Sequence, residues 1–392
     1  MGGPASRPDL VIEYGRAVRD EWALDENWLT VNHGSQGATP RCVLAAQELW
    51  RREMEAQPTR FMSRVLPRAL REAAEKLGSF LGARGEDVAF VDNATTGCNA
   101  VLRSLRLNPG EEVLVLTHGY GAVRNTVRYV AERAGARMTE APLPFPFPRE
   151  QAILEVLEQT ITPRTRLAVL DHVTSASALV LPLTAMAALC RQLGVPVLVD
   201  GAHGPGQVDL NVATLGIDWY VGNCHKWLCA PKGSGFIWAA PERQGELHPA
   251  IISHGLGQGF TAEFDWTGTR DPTAWLAVPE AIAFHERLGG MRLRARNHAL
   301  AVEATRLMTA RLNTEPGADA GFVGAMGLVR LPLAGEATPQ RAQGLRERLL
   351  DAATDVPVHA LADGLWLRVS AYAYNELDDY TRLAQVIAET VR

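Results

Sequence analysis

A chain of 392 residues has room for two or three domains, or for one large α/β subunit with a smaller lobe. A hydrophobic content of 47% and a charged content of 21% are those of an ordinary globular enzyme. A net charge of −5 and a pI near 6.1 give no argument for a nucleic acid or an anionic membrane as partner.

The start, MGGPASRPDL, lacks the apolar segment of a secretory signal, and no later run reaches the ~18 apolar residues a membrane helix requires. A cytoplasmic enzyme is therefore expected. Residues 1–30 read as an N-terminal arm with one short helix from Asp9 to Trp22. Thr30 to Gly34 leave a short strand and enter a glycine-rich turn. Thr39-Pro40 then opens a helix through about Glu55, with Val43, Leu44, Leu49 and Trp50 as its apolar face. A further helix from Pro67 to Leu81 stops at Gly82, which suits a C-cap region.

From Asp87 an alternating strand and helix pattern begins. Val88–Val91 and Glu112–Leu116 are strand-like, followed by helices from Ala94 to Leu105 and from Ala122 to Ala134. Pro142 to Arg149 (PLPFPFPR) reads as an extended surface connection within the large domain. Leu167–Asp171 and Val195–Val199 are further strands, with a helix from Thr184 to Gly194 between them. A long helix from near Thr273 ends at Gly289-Gly290, and another runs from Met291 to Leu312. Gly321–Pro332 and Leu365–Ala371 supply strands for a C-terminal lobe. Short apolar runs separated by helices indicate a mostly parallel sheet covered on both faces.

The most specific pattern lies from Val197 to Trp227, VLVDGAHGPGQVDLNVATLGIDWYVGNCHKW. One apolar run ends in Asp200, followed by Gly201-Ala202-His203; the next ends at Cys224-His225-Lys226-Trp227. This is the layout a pyridoxal 5′-phosphate enzyme needs. An acid at a strand end keeps the pyridine nitrogen protonated, and a lysine on the following segment holds the aldehyde as a Schiff base. A neutral amine is the nucleophile, so the pKa of Lys226 must fall through burial or neighbouring positive charge. Trp227 and Leu228 offer an apolar wall. His203 is expected beside the ring, with a structural hydrogen-bonding role as the alternative. Thr95-Thr96-Gly97 stands between a strand and a helix, where backbone N–H groups and hydroxyls form an anion site.

His172, Thr174 and Ser175 follow another strand end, and Ser175 or Thr174 is placed to bond the cofactor's phenolic oxygen. Clustering at strand carboxyl ends is the rule for open α/β sheets. Arg368 is the leading clamp for a substrate α-carboxylate, because a guanidinium binds a carboxylate bidentately. Asn32 and His33 are expected to line the substrate mouth. Arg270 is either a substrate contact across a subunit interface or structural. The five cysteines (Cys42, Cys98, Cys190, Cys224, Cys229) are scattered and read as reduced thiols, and no metal site is indicated.

The chain resembles the fold-type-I pyridoxal-phosphate enzymes of the class V aminotransferase and cysteine desulfurase superfamily, on its isopenicillin N epimerase-like branch. The resembling segments are VNHGSQGATP (31–40), DNATTGCNAVLRSL (92–105), DHVTSASALVLP (171–182), DGAHGPG (200–206), NCHKW (223–227), GTRD (268–271) and LRVSAYAYN (367–375). They keep the family order and span nearly the whole chain.

The resemblance implies a seven-stranded large domain with one antiparallel strand over residues 31–285, and a smaller α+β lobe over 286–392. It implies that Thr95, Thr96, Asn223 and His225 hold the phosphate. Gly268 and Thr269 would contribute from a partner subunit of a homodimer. Some relatives have serine where Asn223 stands, and an amide still donates a hydrogen bond. The family stacks an aromatic on the cofactor ring; Tyr120 fits this branch, and His118, two residues earlier, is the competitor.

A desulfurase would need a mobile catalytic cysteine, and Ser370 to Tyr374 contains none, so sulfur transfer is disfavoured. The expected chemistry is abstraction of the Cα proton of an amino acid or peptide-like amino acid by Lys226. Epimerisation or racemisation ranks first, a C–S β-lyase acting on a cysteine-derived conjugate second, and transamination third. A non-enzymatic, ligand-sensing role is opposed by the presence together of Lys226, Asp200 and Arg368.

Overall fold

The computed structural model describes residues 13–390. Residues 9–12 of the expected first helix therefore lie outside the described residues; Gly15–Glu21 form a 3₁₀ helix. In chain order the strands are β1 (Leu29–Thr30), β2 (Val88–Val91), β3 (Glu112–Leu116), β4 (Arg137–Ala141), β5 (Thr165–Asp171) and β6 (Val197–Gly201). They continue with β7 (Trp219–Asn223), β8 (Gly235–Ala239), β9 (Met326–Arg330), β10 (Thr354–Asp355), β11 (Val358–Leu361) and β12 (Gly364–Ser370).

Seven of them form the central sheet in the order β2-β8-β7-β6-β5-β3-β4. Every pairing is parallel except those of β8, which runs antiparallel to both β2 and β7. This is the α/β sheet that the resemblance implies. Strands β3, β6, β7 and β8 are buried along their whole length, because helices cover both faces; hence their apolar runs are continuous rather than alternating. The carboxyl ends of β5, β6 and β7 lie side by side, which brings Asp171 opposite Asp200 and Gly201 opposite Gly222.

A second core gathers Leu29 and Val31 with residues from 300 to 387. Its antiparallel sheet has the order β11-β12-β9, backed by the helices Met291–Leu312, Pro339–Asp351 and Leu377–Thr390. The arm is tied in by the parallel pairing of β1 with β10.

The structure departs from the sequence reading at several points. β4 (RMTEA) is a half-exposed edge strand, too polar to stand out as an apolar run. β8 and the helix Glu150–Thr160 have no counterpart among the expected elements. The long helix expected from Thr273 is broken into Thr273–Leu276 and Val278–Arg287, with Pro279 removing a backbone donor at the joint. In the helix Arg41–Ala56, Val43 and Met54 are buried, while Leu44 and Leu49 face outward. The proline-rich segment is more than a surface connection. Leu143 is buried, and Phe145 packs edge-on to Trp366 of β12 at 5.0 Å, tying the segment to the small lobe's sheet.

Two glycines set the site's geometry. Gly37 has φ +68°, and a Cβ there would lie 2.0 Å from the carbonyl oxygen of His225 and 2.7 Å from that of Lys226. Gly201 ends β6 against the Tyr220 ring, 2.0 Å from where its Cβ would be. Only a residue without a side chain lets these backbones approach so closely.

Candidate active site

The carboxyl ends of the central strands and the loops after them enclose a cavity of about 560 Å³. Lys226, Asp200, His203, Thr95, Thr96, Tyr120, Ser175, Asn223 and His225 all line it. Residues scattered over more than 130 positions of sequence thus meet in one place, as open α/β sheets dictate.

Lys226 follows β7 on a tight turn in which Cys229 N–H donates to the Lys226 carbonyl and Ala230 N–H to that of Cys224. Its amine lies 3.0 Å from His203 Nε2. Burial and the charge of Arg368 lower its pKa to about 7, against the opposing pull of Asp200. Asp200 is buried, and its Oδ1 accepts from the Ala202 N–H at 3.0 Å.

The sequence reading missed Asp171, which lies opposite Asp200 across β5 and β6 and lines the same cavity. Burial and the neighbouring Asp200 charge push its carboxyl well above the usual range. Burial raises the Asp200 carboxyl too, but Ala202 N–H and the Lys226 charge oppose that rise. The sequence did carry a signal: Asp171 ends an apolar strand as Asp200 does.

At the opposite wall the helix Ala94–Ser104 points its N-terminus into the cavity. Asn93 Oδ1 accepts from Thr96 N–H at 3.0 Å, and Asn223 Oδ1 accepts from Ala94 N–H at 2.9 Å. The Asn223 amide nitrogen is then left to donate elsewhere. His225 Nδ1–H donates to the Ser234 carbonyl at 3.2 Å, which fixes the ring's orientation. Of the two aromatics weighed after β3, Tyr120 lines the cavity and is 46% exposed. His118 is turned to Ser177, 2.9 Å away, and to Phe145.

Arg368 is fully buried on β12, directly behind Ser35 and Ser175. It donates to the Ser175 carbonyl at 2.5 Å, to Ser35 Oγ at 2.7 Å and to Asn32 Oδ1 at 3.4 Å. Its Nε–H has no partner, and among the described residues no carboxylate hydrogen-bonds to it. Burial and Arg346 lower its pKa to about 10, so it stays charged at neutral pH. A buried guanidinium bonded only to neutral oxygens retains attraction for an incoming carboxylate.

Three expected contacts are corrected. His33 does not line the mouth. It is buried, stacked on Tyr372 with ring centroids 3.7 Å apart, and bonded through Nδ1 to Tyr374 Oη (2.9 Å) and through Nε2 to the Lys226 carbonyl (3.1 Å). Asn32 is likewise turned away, its amide donating to Asp355 Oδ1 at 2.8 Å. The short helix His33–Gln36 brings Ser35 and Gln36 to the cavity instead. His172 faces away from it, with Nδ1 3.0 Å from Tyr220 Oη, because neighbouring residues at a strand end point to opposite sides.

Thr174 is spent within its own turn, bonded to Ser177 Oγ and Leu179 N–H, which leaves Ser175 at the cavity. Gly268 and Thr269 are absent from the cavity lining. Arg270 is paired with Asp92 and stacked over Trp275 at 4.1 Å.

This donor set fits pyridoxal 5′-phosphate. It offers an amine with a pKa near 7 for the aldehyde, a carboxyl for the ring nitrogen, and amide, hydroxyl and imidazole donors around a helix N-terminus for the phosphate. The chain belongs to the class-V aminotransferase family, whose profile matches residues 34–318. It is a pyridoxal-phosphate-dependent enzyme of fold type I. It is 37% identical to isopenicillin N epimerase from Amycolatopsis lactamdurans over 95% of this chain and 97% of that one. It is 32% identical to a putative L-cysteine desulfhydrase 1 from Oryza sativa subsp. japonica over 99% of this chain and 88% of the other. Among solved structures, the cystine C–S lyase C-DES superposes with a TM-score of 0.80 at 21% identity, covering 93% of this chain and 98% of its own. A cysteine desulfurase from Thermococcus onnurineus superposes at 0.81 with 18% identity, over 97% and 98%. These two likenesses establish the fold.

Proposed function

We propose that the protein is an epimerase or racemase that removes and returns the Cα proton of an amino acid or of a peptide-like amino acid. The observation that carries this is the buried Lys226 amine, with a pKa near 7, in a cavity backed by the Arg368 guanidinium, whose Nε–H has no partner. Bound pyridoxal phosphate supplies an aldehyde for the substrate amine and a ring that accepts the electron pair left at Cα.

The residues divide the remaining tasks. Asp200 holds the ring nitrogen's proton. Thr95, Thr96, Asn223 and His225 would hold the phosphate, Tyr120 would cover the ring, and Ser175 and His203 would serve its phenolic oxygen. Arg368 holds the substrate carboxylate, which sets the Cα–H bond toward Lys226, and Lys226 takes the proton. Epimerisation needs a donor on the far side. His33 is removed from that role by its burial, whereas the Tyr120 phenol remains exposed at the cavity.

The second reading, a C–S β-lyase on a cysteine-derived conjugate, is favoured by the desulfhydrase relatives. Incubation with L-amino acids and cysteine conjugates in D₂O, followed by NMR, separates the two. Deuteration at Cα with formation of the D-isomer supports the epimerase. Release of pyruvate, ammonia and a thiol product overturns it in favour of the lyase.

The proposal extends to a homodimer. Ile251 (63% exposed), Ile252 and Leu256 form an apolar loop beside the cleft that Thr95, Thr96 and Arg270 line. Gly268 and Thr269, absent from this chain's own cavity, would reach the phosphate of the partner's site. A cytoplasmic location completes the reading; among the described residues no helix is long and apolar enough to cross a membrane.

A further inference from the structure

Trp227 directly follows the lysine, and its indole is fully buried. The indole Nε1–H donates to His203 Nδ1 at 3.2 Å. An indole nitrogen only donates, so Nδ1 is the unprotonated nitrogen of the histidine ring. Burial, with Lys226, Arg368 and His225 acting in the same direction, pushes His203 well below its ordinary pKa. The ring is therefore neutral, and its one proton sits on Nε2. That N–H lies 3.0 Å from Lys226 Nζ. An ammonium group has three donors and no lone pair, so only the free amine can accept this bond.

We infer that Trp227 is a positioning residue: by fixing the tautomer of His203, it makes Nε2–H donate to Lys226 and holds that lysine as the free amine. The inference rests on the reading of Lys226 as the cofactor lysine and assigns the indole a task beyond walling the cavity.

The surroundings hold the backbones that carry both rings. Gln207 Nε2 donates to the His203 carbonyl at 2.7 Å, while its Oε1 accepts from Ala325 N–H at 2.9 Å, at the entrance to the small lobe. Gly206, at φ +81°, lets the turn after His203 lie against the Trp227 backbone; a Cβ there would be 2.7 Å from the Trp227 carbonyl. Without the indole N–H, nothing obliges Nδ1 to stay unprotonated. The ring can then turn an acceptor Nε2 toward Lys226, which favours the ammonium form.

Two measurements on the full-length protein test this. One is ¹⁵N-histidine NMR before and after pyridoxal phosphate is added, with His203 assigned by the signal lost in His203→Gln. The other is the rate of pyridoxal phosphate capture as a function of pH, read by absorbance and trapped on Lys226 by borohydride. The wild type should show the Nε2-protonated tautomer and a capture inflection near 7.

In Trp227→Phe the tautomers should mix, and the inflection should rise by about one pH unit, the effect of one hydrogen bond. Capture at neutral pH would then slow by up to about tenfold. His203→Gln has an amide donor and no tautomers, so adding Trp227→Phe to it should move the inflection far less. An unchanged tautomer and inflection in a folded Trp227→Phe protein would overturn the inference, as would a wild-type His203 protonated on Nδ1.

If Trp227→Phe does not fold, His203→Gln and His203→Leu decide. Only the leucine variant should raise the inflection, and equal behaviour of the two sinks the idea. A folded wild type that captures no cofactor at any pH would overturn the role of Lys226 itself, while the tautomer measurement would still stand or fall by itself.

Discussion

Burial strips water from Lys226, and the guanidinium of Arg368 opposes a second cation nearby; together they outweigh the attraction of Asp200. The sign of the consequence follows. A lysine whose folded pKa is lowered binds fewer protons than in the unfolded chain between pH 7 and its ordinary value, so folding is favoured progressively as pH rises through that interval. Cofactor-free protein should accordingly melt at a higher temperature at pH 9 than at pH 7, and Lys226→Met should reduce that difference. An equal pH response in the variant would show that Lys226 titrates normally.

At the same scale, Arg368→Lys keeps the charge but loses the planar fork. KM for an amino-acid substrate should rise about tenfold or more, with a smaller change in kcat. A fall in kcat alone would place Arg368 outside substrate binding. His33 teaches a related lesson. Its position beside a glycine turn reads as an exposed mouth, yet three aromatic rings from distant segments enclose it.

Among elements, the loop that carries Lys226 is held from behind by the turn at Gly37 and by His33. Gly37→Ala should strain a positive-φ position and push on the His225 and Lys226 carbonyls. A loss of about 2 kcal/mol in urea unfolding is expected, together with weaker cofactor retention in dialysis. Unaltered retention would mean that the loop keeps its shape without this contact.

At the other end of the sheet, Glu112 on β3 is buried and accepts hydrogen bonds from Thr162, Arg137 and Arg164. Burial raises its pKa, but these partners outweigh that and hold it near 2. Their contribution is present above the ordinary glutamate range and is lost as pH falls from there toward 2. Glu112→Gln should cost about 2 kcal/mol at pH 7 and much less near pH 3, measured by denaturant unfolding at both values.

For the whole molecule, the exposed Ile251, Ile252 and Leu256 are too apolar to be left to solvent as one patch without consequence. In the proposed homodimer, Ile251→Asp combined with Ile252→Asp should shift sedimentation toward the monomer and weaken cofactor retention, because Gly268 and Thr269 would no longer reach the other subunit's site. A variant that sediments as the wild type does would place the interface elsewhere.

Much of this protein was legible in its sequence, because the signals are local. Apolar runs of five residues must be strands inside a covered sheet, and Asp200, Asn223 and Lys226 follow the ends of such runs, where side chains leave the core. The layout of Asp200 and Lys226 points to the cofactor, and the resemblance of the motif segments implies seven strands with one antiparallel. What only the tertiary structure decided was non-local.

The partnership of Asp171 with Asp200 depends on which strand lies beside β6. The orientation of His172 depends on where Tyr220 sits, and the burial of His33 depends on Tyr372 and Tyr374 from the other lobe. The tautomer of His203 depends on an indole 24 residues away in sequence. Local propensity fixes which residues stand at a strand's end; packing alone fixes what each of them meets there.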